Sequence, residues 1–458
     1  MINYEQIRAG AVATLEQNRL PNGVICPQID HFGSSFKWDA GTIALGLATY
    51  DALDAADQLD AHMIGAHPDG LISNEVVFGQ LNFAQKKILR FHQFSEAGGT
   101  SNITQPPNLA HGVRVVAESL PEQQQLAYLQ QMFPPLAKEA EWLLKARTDS
   151  QDGLITLVHP YESGMDNSPI WDEPMARAWD SGGLSIRQAL FHKYGPKIVE
   201  RFRKQGGDLQ YADLDVRSQN GEIANSLLQS WELLKYDHDL ALIKERGRSA
   251  LVKDIGFNAI AAFAFEDLAW IESAIDNPRY TLGSELNEAI QRQKEALWSD
   301  LWDESERAYF GKDARTGEPI KKLTVGSLLP LLIEQATERT DRILQQITDP
   351  ELFWTESPIT SVATNQPEFN PQQYWRGGAW SLTRVFVFEA LLRQGHYAVA
   401  DDLATKALSQ PHLLQFGEYN NAITGEALGM MPFSPAAAEA LVYIDYLTGK
   451  KDSYPQHC

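Results

Sequence analysis

The sequence predicts an all-α protein whose antiparallel helix pairs close into an (α/α) barrel. Three observations carry that expectation. Apolar residues recur at helical spacing along nearly the whole chain, and strand-like alternation is confined to one short stretch. Several segments between helices are long, unlike one another, and dense in Trp, Tyr, Asp, Glu, Asn and Gly.

Taken in order, Tyr4, Ile7, Ala11 and Leu15 give a helix with one apolar stripe. Leu136, Ala140, Leu143 and Leu144 give another, as do Ile223, Leu227, Trp231 and Leu234, and then Leu286, Ala289, Ile290 and Leu297. Leu382, Val385, Phe386, Leu391 and Leu392 continue the pattern to Gly395, which ends the helix by taking a positive φ. Ser434-Pro435 reads as N-cap and first-turn proline of a last helix through Leu441, Ile444 and Leu447. The strand-like stretch, Tyr309-Phe310 and Ile320 to Val325 around Arg315-Thr316-Gly317, predicts one hairpin. No linker rich in Gly, Pro or Ser divides the chain, so 1–458 reads as one domain. A solenoid would join its pairs by short, similar loops. Segments 31–41, 99–108, 158–173, 366–380 and 416–433 instead suit a pocket at one end of a barrel.

Composition narrows the function. A net charge of −21 argues against a phosphate-tracking nucleic-acid binder and against an anionic membrane partner. The most apolar window, Gly256 to Phe265, is too short to span a bilayer. Met1 to Gln6 shows no secretory pattern, and Cys26 and Cys458 make no disulfide framework, so a reducing, cytoplasmic setting is expected. His62 and His67 are not at metal-ligand spacing, and Asp149 to Gly153 lacks a calcium-loop pattern. No phosphate-binding glycine loop is present. Neither metal nor cofactor is expected, and the oligomeric state is left open.

Aromatics and carboxylates in pocket loops suit a small carbohydrate, with rings covering the sugar's apolar faces and carboxylates holding its hydroxyls. Cleaving a glycosidic bond needs one protonated carboxyl for the leaving oxygen and one ionised carboxyl for water or direct attack. Segment His159 to Asp172 offers Glu162, Asp166 and Asp172 between turn residues; the competing reading is that Asp166-Asn167-Ser168-Pro169 only starts a helix. Segment Phe416 to Gly429 offers Glu418 and Glu426, and spacing does not choose between them.

Motifs sharpen this picture. His-Pro-Tyr-Glu-Ser-Gly-Met-Asp-Asn-Ser-Pro-Ile-Trp-Asp at 159–172 resembles the general-acid segment of glycoside hydrolase family 63, in its mannosylglycerate/glucosylglycerate hydrolase branch. Phe36-Lys37-Trp38-Asp39-Ala40-Gly41 resembles the family's Trp-Asp loop, and Ile103-Thr104-Gln105-Pro106-Pro107 its Thr-Gln-Pro-Pro loop. Pro367 to Pro371 with Tyr374-Trp375-Arg376-Gly377 resembles the Tyr-Trp-Arg-Gly loop. Glu418-Tyr419 with Thr424 to Gly429 resembles the base-bearing loop.

The resemblance implies an (α/α)6 barrel and an inverting α-glycosidase acting on a small α-glucoside or α-mannoside such as glucosylglycerate or mannosylglycerate. It gives Asp166 the general-acid position and Glu418 the general-base position, because the family's base immediately precedes a Tyr or Gln-Tyr. Glu426 then keeps a turn. Asp166, hemmed by Tyr161 and the Trp171 loop, is expected to stay protonated through desolvation, while Glu418 stays ionised. Trp38 and Asp39 match positions that hold the sugar, and Gln105 a substrate-contacting amide whose alternative is bonding the Pro-Pro turn. Tyr161 and Gly164 match further substrate contacts, and Tyr374, Trp375 and Trp380 match subsite aromatics whose alternative is packing in the barrel core. Arg376 reads as a loop anchor. Arg217 lies where related hydrolases place an arginine for a glycerate carboxylate; its alternative is a solvated surface side chain. A trehalase-like enzyme, an oligosaccharide α-glucosidase and a non-catalytic sugar-binding protein are the competing readings. Phe32, Phe36, Asn74 and Pro435 depart from the Tyr, Trp, His and Trp that the glycerate branch tends to carry, which opens the question of the substrate.

Overall fold

A computed structural model describes residues 2–82, 85–86, 91–95, 98–149, 152–180, 229–333 and 337–449. Helices α1 (Tyr4–Gln17), α2 (Lys37–Ala48), α3 (Ala52–Met63), α4 (Leu109–Ser119), α5 (Glu122–Ala146) and α6 (Asp172–Asp180) precede α7 (Leu240–Arg246) and α8 (Ile255–Ile275). There follow α9 (Gly283–Asp300), a 3-10 segment (Val325–Leu332), α10 (Glu338–Thr348), α11 (Ser381–Arg393), α12 (Tyr397–Leu408) and α13 (Ser434–Leu447).

Burial separates these elements into two kinds. Every residue from Lys37 to Leu47 in α2, from Ile255 to Phe265 in α8 and from Ser434 to Tyr446 in α13 is buried. A helix without a solvent face must be surrounded. The contacts show how: α2 packs on α4, α4 on α8, α8 on the 3-10 segment, that segment on α11, α11 on α13, and α13 back on α2. Around this ring α1 lies on α13, α3 on α2 and α4, α5 on α4 and α8, α9 on α8, α10 on the 3-10 segment, and α12 on α11 and α13. These outer helices bury one stripe, as Ile343 and Ile347 do in α10. Small residues let the ring close: a Cβ on Gly46 of α2 would stand 2.5 Å from the Ala438 Cα of α13. None of the described helices is long and apolar enough to cross a membrane.

Segments 31–41, 99–108, 366–380 and 416–433 all run into the N-terminal ends of ring helices, α2, α4, α11 and α13. Short strands brace them. Strands β1 (Ser34–Phe36), β2 (Glu75–Val77), β3 (His92–Ser95) and β4 (Gly98–Thr100) form a sheet in the order β1-β2-β4-β3, with Phe36 opposite Glu75. Strand β5 (Val252–Lys253) precedes α8, and β6 (Trp302–Asp303) pairs with β7 (Ala308–Tyr309). The expected hairpin is present but shifted. Its strands are β8 (Gly311–Asp313) and β9 (Pro319–Ile320), joined at Gly317 with φ 80°, while Tyr309 pairs with Trp302 and Val325 begins the 3-10 segment. Strands β10 (Ala379–Trp380), β11 (Tyr419–Asn420) and β12 (Ala427–Leu428) make the last sheet.

The sequence periodicities in α1, α5, α9 and α11 lie on the buried faces, and Gly395 takes φ 72°. Ile223 and Leu227 lie outside the described residues. Ser434 does not cap α13. Its hydroxyl donates to Cys26 O at 2.8 Å and accepts from Asn18 Nδ2 at 2.9 Å, because the start of α13 is buried against the chain after α1.

Charge inside the ring is paired. Arg384 of α11 donates twice to Glu439 of α13, at 2.6 Å each, and the Tyr443 hydroxyl donates to the same carboxylate at 2.9 Å. Removing one member leaves the other charged and without water, at a cost of roughly 3–5 kcal/mol. Arg384→Met should therefore lower stability to urea by about that amount, and Arg384→Met/Glu439→Leu should recover part of it. Unfolding curves with equal losses for single and double variants would contradict the pairing.

Candidate active site

The segment carrying Asp166 is a series of locked turns. His159 Nδ1 accepts from Tyr161 N at 3.1 Å and opens a 3-10 turn, Pro160–Ser163. Glu162 is fully buried, accepting from Arg147 at 2.9 and 2.7 Å and from Val158 N at 2.9 Å. Burial opposes its charge, but the Arg147 guanidinium and these N–H donors prevail and hold the carboxyl below its usual range. Gly164 follows with φ 71°, and a Cβ there would overlap the Trp38 ring. Glycine is needed both for that backbone and for the close approach. Asp166 is half-buried, and its neighbour Asn167 donates through Nδ2 to Tyr374 O at 3.1 Å.

Trp38 and Asp39 occupy the first turn of α2. The Trp38 N–H donates to Gln105 Oε1 at 3.2 Å, and Trp38 O accepts from Asn108 Nδ2 at 2.8 Å. The Gln105 amide oxygen thus serves the start of α2 and not the Pro-Pro turn. Beside it Lys37 is fully buried, its ammonium donating to Thr104 Oγ1 at 2.9 Å, to Gln105 O at 3.0 Å and to Glu139 of α5. Burial pulls the Lys37 pKa down and pushes that of Glu139 up, against their mutual attraction.

An aromatic stack leads from Trp38 to Glu418. Trp38 lies 6.2 Å from Trp375, Trp375 stacks on Trp380 at 3.8 Å, and Trp380 on Tyr419 at 4.7 Å. Tyr374 meets Trp380 edge-on at 4.8 Å. Glu418, buried beside this stack, accepts from Met430 N at 3.0 Å and is hydrogen-bonded by the Tyr374 side chain. Gly429, with φ 73°, lies so near that a Cβ would overlap Glu418 Oε2. Burial pushes the Glu418 carboxyl up to about 7, opposed by the Met430 N–H and Tyr374. Asp39 is also raised to about 7, by burial and then by the Glu418 charge, so the two carboxyls are close enough to repel. Glu418 is therefore less readily ionised than the sequence reading expected, because its loop is enclosed. Glu426, in contrast, is exposed on the turn between β11 and β12.

Arg376 anchors its loop, as the sequence suggested, donating to Asp172 Oδ2 at 2.7 Å and to Asp172 Oδ1 at 2.5 Å. The loops of Trp38, Asp39, Gln105, Gly164, Asn167, Tyr374, Trp375, Trp380 and Glu418 are thus joined by direct contacts. Tyr161 is half-buried, its ring 4.8 Å from that of His159. Arg217 lies outside the described residues. Sequence reasoning missed the roles of Lys37, Arg147, Asn108 and Asn167; the one visible signal was a lysine inside an aromatic run. Among the described residues no group of three or more His, Cys, Asp or Glu could hold a metal ion.

Helices that close on themselves, with carboxylates and stacked indoles at their N-terminal ends, fit a carbohydrate-active enzyme. The comparisons agree. Residues 34–435 match the family model described as a mannosylglycerate hydrolase MGH1-like glycoside hydrolase domain. A mannosylglycerate hydrolase from Thermus thermophilus is 31% identical, over 89% of this chain and 93% of that protein. A glucosylglycerate hydrolase from Mycolicibacterium hassiacum is 26% identical, over 89% and 91%. A solved GH63 mannosylglycerate hydrolase from Thermus thermophilus, in complex with glucose, superposes with a TM-score of 0.78 at 29% identity, covering 95% of this chain and 99% of that one. The same enzyme has been solved with Tris and D-glycerate. The protein is a glycoside hydrolase. It belongs to the MGH1-like family, the mannosylglycerate/glucosylglycerate hydrolase branch of glycoside hydrolase family 63.

A carboxyl whose folded pKa is raised binds its proton more tightly in the folded state. Its folded-state charge therefore costs stability as pH rises from the unfolded value near 4.5 through about 7, and the cost levels off above that. Glu418→Gln should be more stable than the wild type at pH 8, by roughly 3 kcal/mol at most, and should lose that advantage below about pH 4.5. Melting temperatures across this range check it; a variant less stable at pH 8 would show that Glu418 is charged at little cost.

Proposed function

We propose that the chain is an inverting α-glycoside hydrolase built on an (α/α)6 barrel, forming one domain, and that it cleaves a small α-glucoside or α-mannoside. Conjugates of glycerate are the first candidates, from the names of the relatives. Asp166 is the general acid and Glu418 the general base. The observation that carries this reading is the bridge between their loops: Asn167 bonds the Tyr374 carbonyl, and the Tyr374 side chain bonds Glu418. Two carboxyls from distant parts of the chain thereby share one end of the ring.

In this mechanism Asp166 protonates the glycosidic oxygen as the bond breaks. Glu418 takes a proton from a water that attacks the anomeric carbon from the opposite face, which calls for a carboxyl separation of roughly 6.5–9.5 Å. Hydrogen bonds from Met430 N and Tyr374 favour the carboxylate form of Glu418. Burial first, and then the Glu418 charge, favours the protonated form of Asp39, in which it can donate to a sugar hydroxyl. Trp38, Trp375 and Trp380, each almost wholly buried, back the sugar site, with Gln105, Tyr161, Gly164 and Tyr374 completing it. Glu162 is committed to Arg147, which removes it as a competing nucleophile.

Released sugar followed by NMR across α-glucosides and α-mannosides, glycerate conjugates and trehalose included, tests the reading. Asp166→Asn and Glu418→Gln should each lower kcat by about 10²–10⁴-fold with the fold intact, whereas exposed Glu426→Gln should cost less than about threefold. Full activity in Glu418→Gln with a dead Glu426→Gln would move the base to the turn.

The stereochemistry gives a separate check. Proton spectra recorded before mutarotation should show the β-anomer first from an α-glycoside. Initial α-anomer, or a glycosyl adduct trapped on Glu418, would replace the water-activating base with a nucleophile.

A further inference from the structure

The bridge between Tyr374 and the segment bearing Asp166 has a second, charged member. Asp166 and Asn167 are the two half-buried residues of a tight turn whose ends, Met165 and Ser168, are buried. Ser168 N closes the turn by donating to Met165 O at 2.9 Å. Its first half is held from behind, where the Ser163 hydroxyl accepts from Met165 N at 3.0 Å and donates to Pro160 O at 2.7 Å. Its second half runs into the 3-10 turn Pro169–Trp171, all three residues buried, and then into Asp172 at the start of α6. That stretch is short and packed, so whatever fixes Asp172 also fixes Asn167 and the residue before it.

Arg376 reaches both ends of the stretch. Its guanidinium donates to the two carboxylate oxygens of Asp172, at 2.7 and 2.5 Å, and to Asn167 Oδ1 at 3.4 Å. The other half of the Asn167 amide, Nδ2, donates to Tyr374 O, two residues before Arg376. One loop therefore holds one side chain twice, next to Asp166. The loop is itself stiff. Asn370 N donates to Arg376 O at 2.7 Å and Arg376 N to Gln373 O at 3.0 Å. Between Tyr374 and Arg376, Trp375 takes φ 55°, a left-handed conformation that is costly for a bulky residue. Such strain persists only where the surroundings over-determine it, as the Trp380 stack and the Arg376 grip on Asp172 do here. The Tyr374 side chain also bonds Glu418, so the same loop sets the Asp166 segment in register with the second carboxyl.

We propose that Arg376 is a positioning residue for leaving-group protonation: by gripping Asp172 and Asn167 it fixes where Asp166 presents its proton to the glycosidic oxygen. The proposal rests on the hydrolase reading above and adds to it the group that aims the acid. A planar guanidinium meets two carboxylate oxygens at once, a fit that the ammonium of lysine lacks although its charge is the same. Displacing the acid by about 1 Å is enough to cost on the order of 10²-fold in rate.

The leaving group separates proton donation from the rest of the reaction. In an oxygen-linked α-glycoside the departing oxygen gains the Asp166 proton as its bond to carbon breaks, while Glu418 takes a proton from the attacking water. In the matching α-glycosyl fluoride, fluoride leaves with the bonding pair and needs no proton, so only the water step remains. Arg376→Lys and Asp172→Asn should each lower kcat about 30-fold on the oxygen-linked glycoside that the wild type cleaves best. KM for that glycoside, and kcat on the fluoride, should change by less than about threefold, which also shows that the fold is kept. Arg376→Lys/Asp172→Asn should be no slower than the slower single variant, because both substitutions cut one link. Losses of equal size on the two substrates, or no loss on the oxygen-linked one, would overturn the proposal and leave the hydrolase reading standing. A wild type that cleaves no oxygen-linked α-glycoside would overturn the hydrolase reading, and this proposal with it.

Discussion

Desolvation of charge governs this structure. Ring helices with no solvent face can carry ions only where a partner replaces water. Arg384 has Glu439, Arg147 has Glu162, Arg114 and His111 share Asp267, and Lys37 has Glu139. All but Arg147–Glu162 join elements distant in sequence, so the need to neutralise charge also fixes how those elements meet. Asp39 and Glu418 break the pattern. Among the described residues they have no cation, and burial lifts both to about 7. Buried carboxylates left in that condition are poised to exchange protons near neutrality, which is where acid–base chemistry is useful.

Two of the buried pairs support the site from beneath. Lys37 holds the backbone and side chain of the 104–105 turn against the start of α2, while Arg147 grips Glu162 four residues before Asp166. The neutral contacts are equally tight. Gly164 lies against the Trp38 ring and Gly429 against the Glu418 carboxylate, at separations no side chain would permit. Aromatic stacking from Trp38 through Trp375 and Trp380 to Tyr419 then carries rigidity across the mouth of the ring. Preorganisation of this kind lowers the reorganisation needed during reaction.

Much of this was legible in the chain alone. Helical periodicity located α1, α5, α9 and α11, because burying one stripe imposes a 3.6-residue repeat whatever the neighbour is. The carboxylate- and aromatic-rich loops were visible as composition, and their ordered motifs resembled a known hydrolase family. Gly395 and Gly317 were legible as turns because a positive φ is a local demand that glycine meets.

Partnership between distant residues was not legible. Nothing local distinguishes Glu418 from Glu426, yet one is enclosed beside Asp39 and the other exposed on a turn. Ser434 carried every local sign of a helix cap, but its hydroxyl is drawn to Cys26 and Asn18, more than four hundred residues earlier. The hairpin register likewise moved because Tyr309 found Trp302 as its partner. The amino-acid order by itself determined which segments coil, where the chain turns and which chemical groups its loops offer, since those depend on neighbours within a few residues. Tertiary structure alone decided which carboxylates are neutralised and which are left desolvated, because that depends on distances set by the packing of the whole ring.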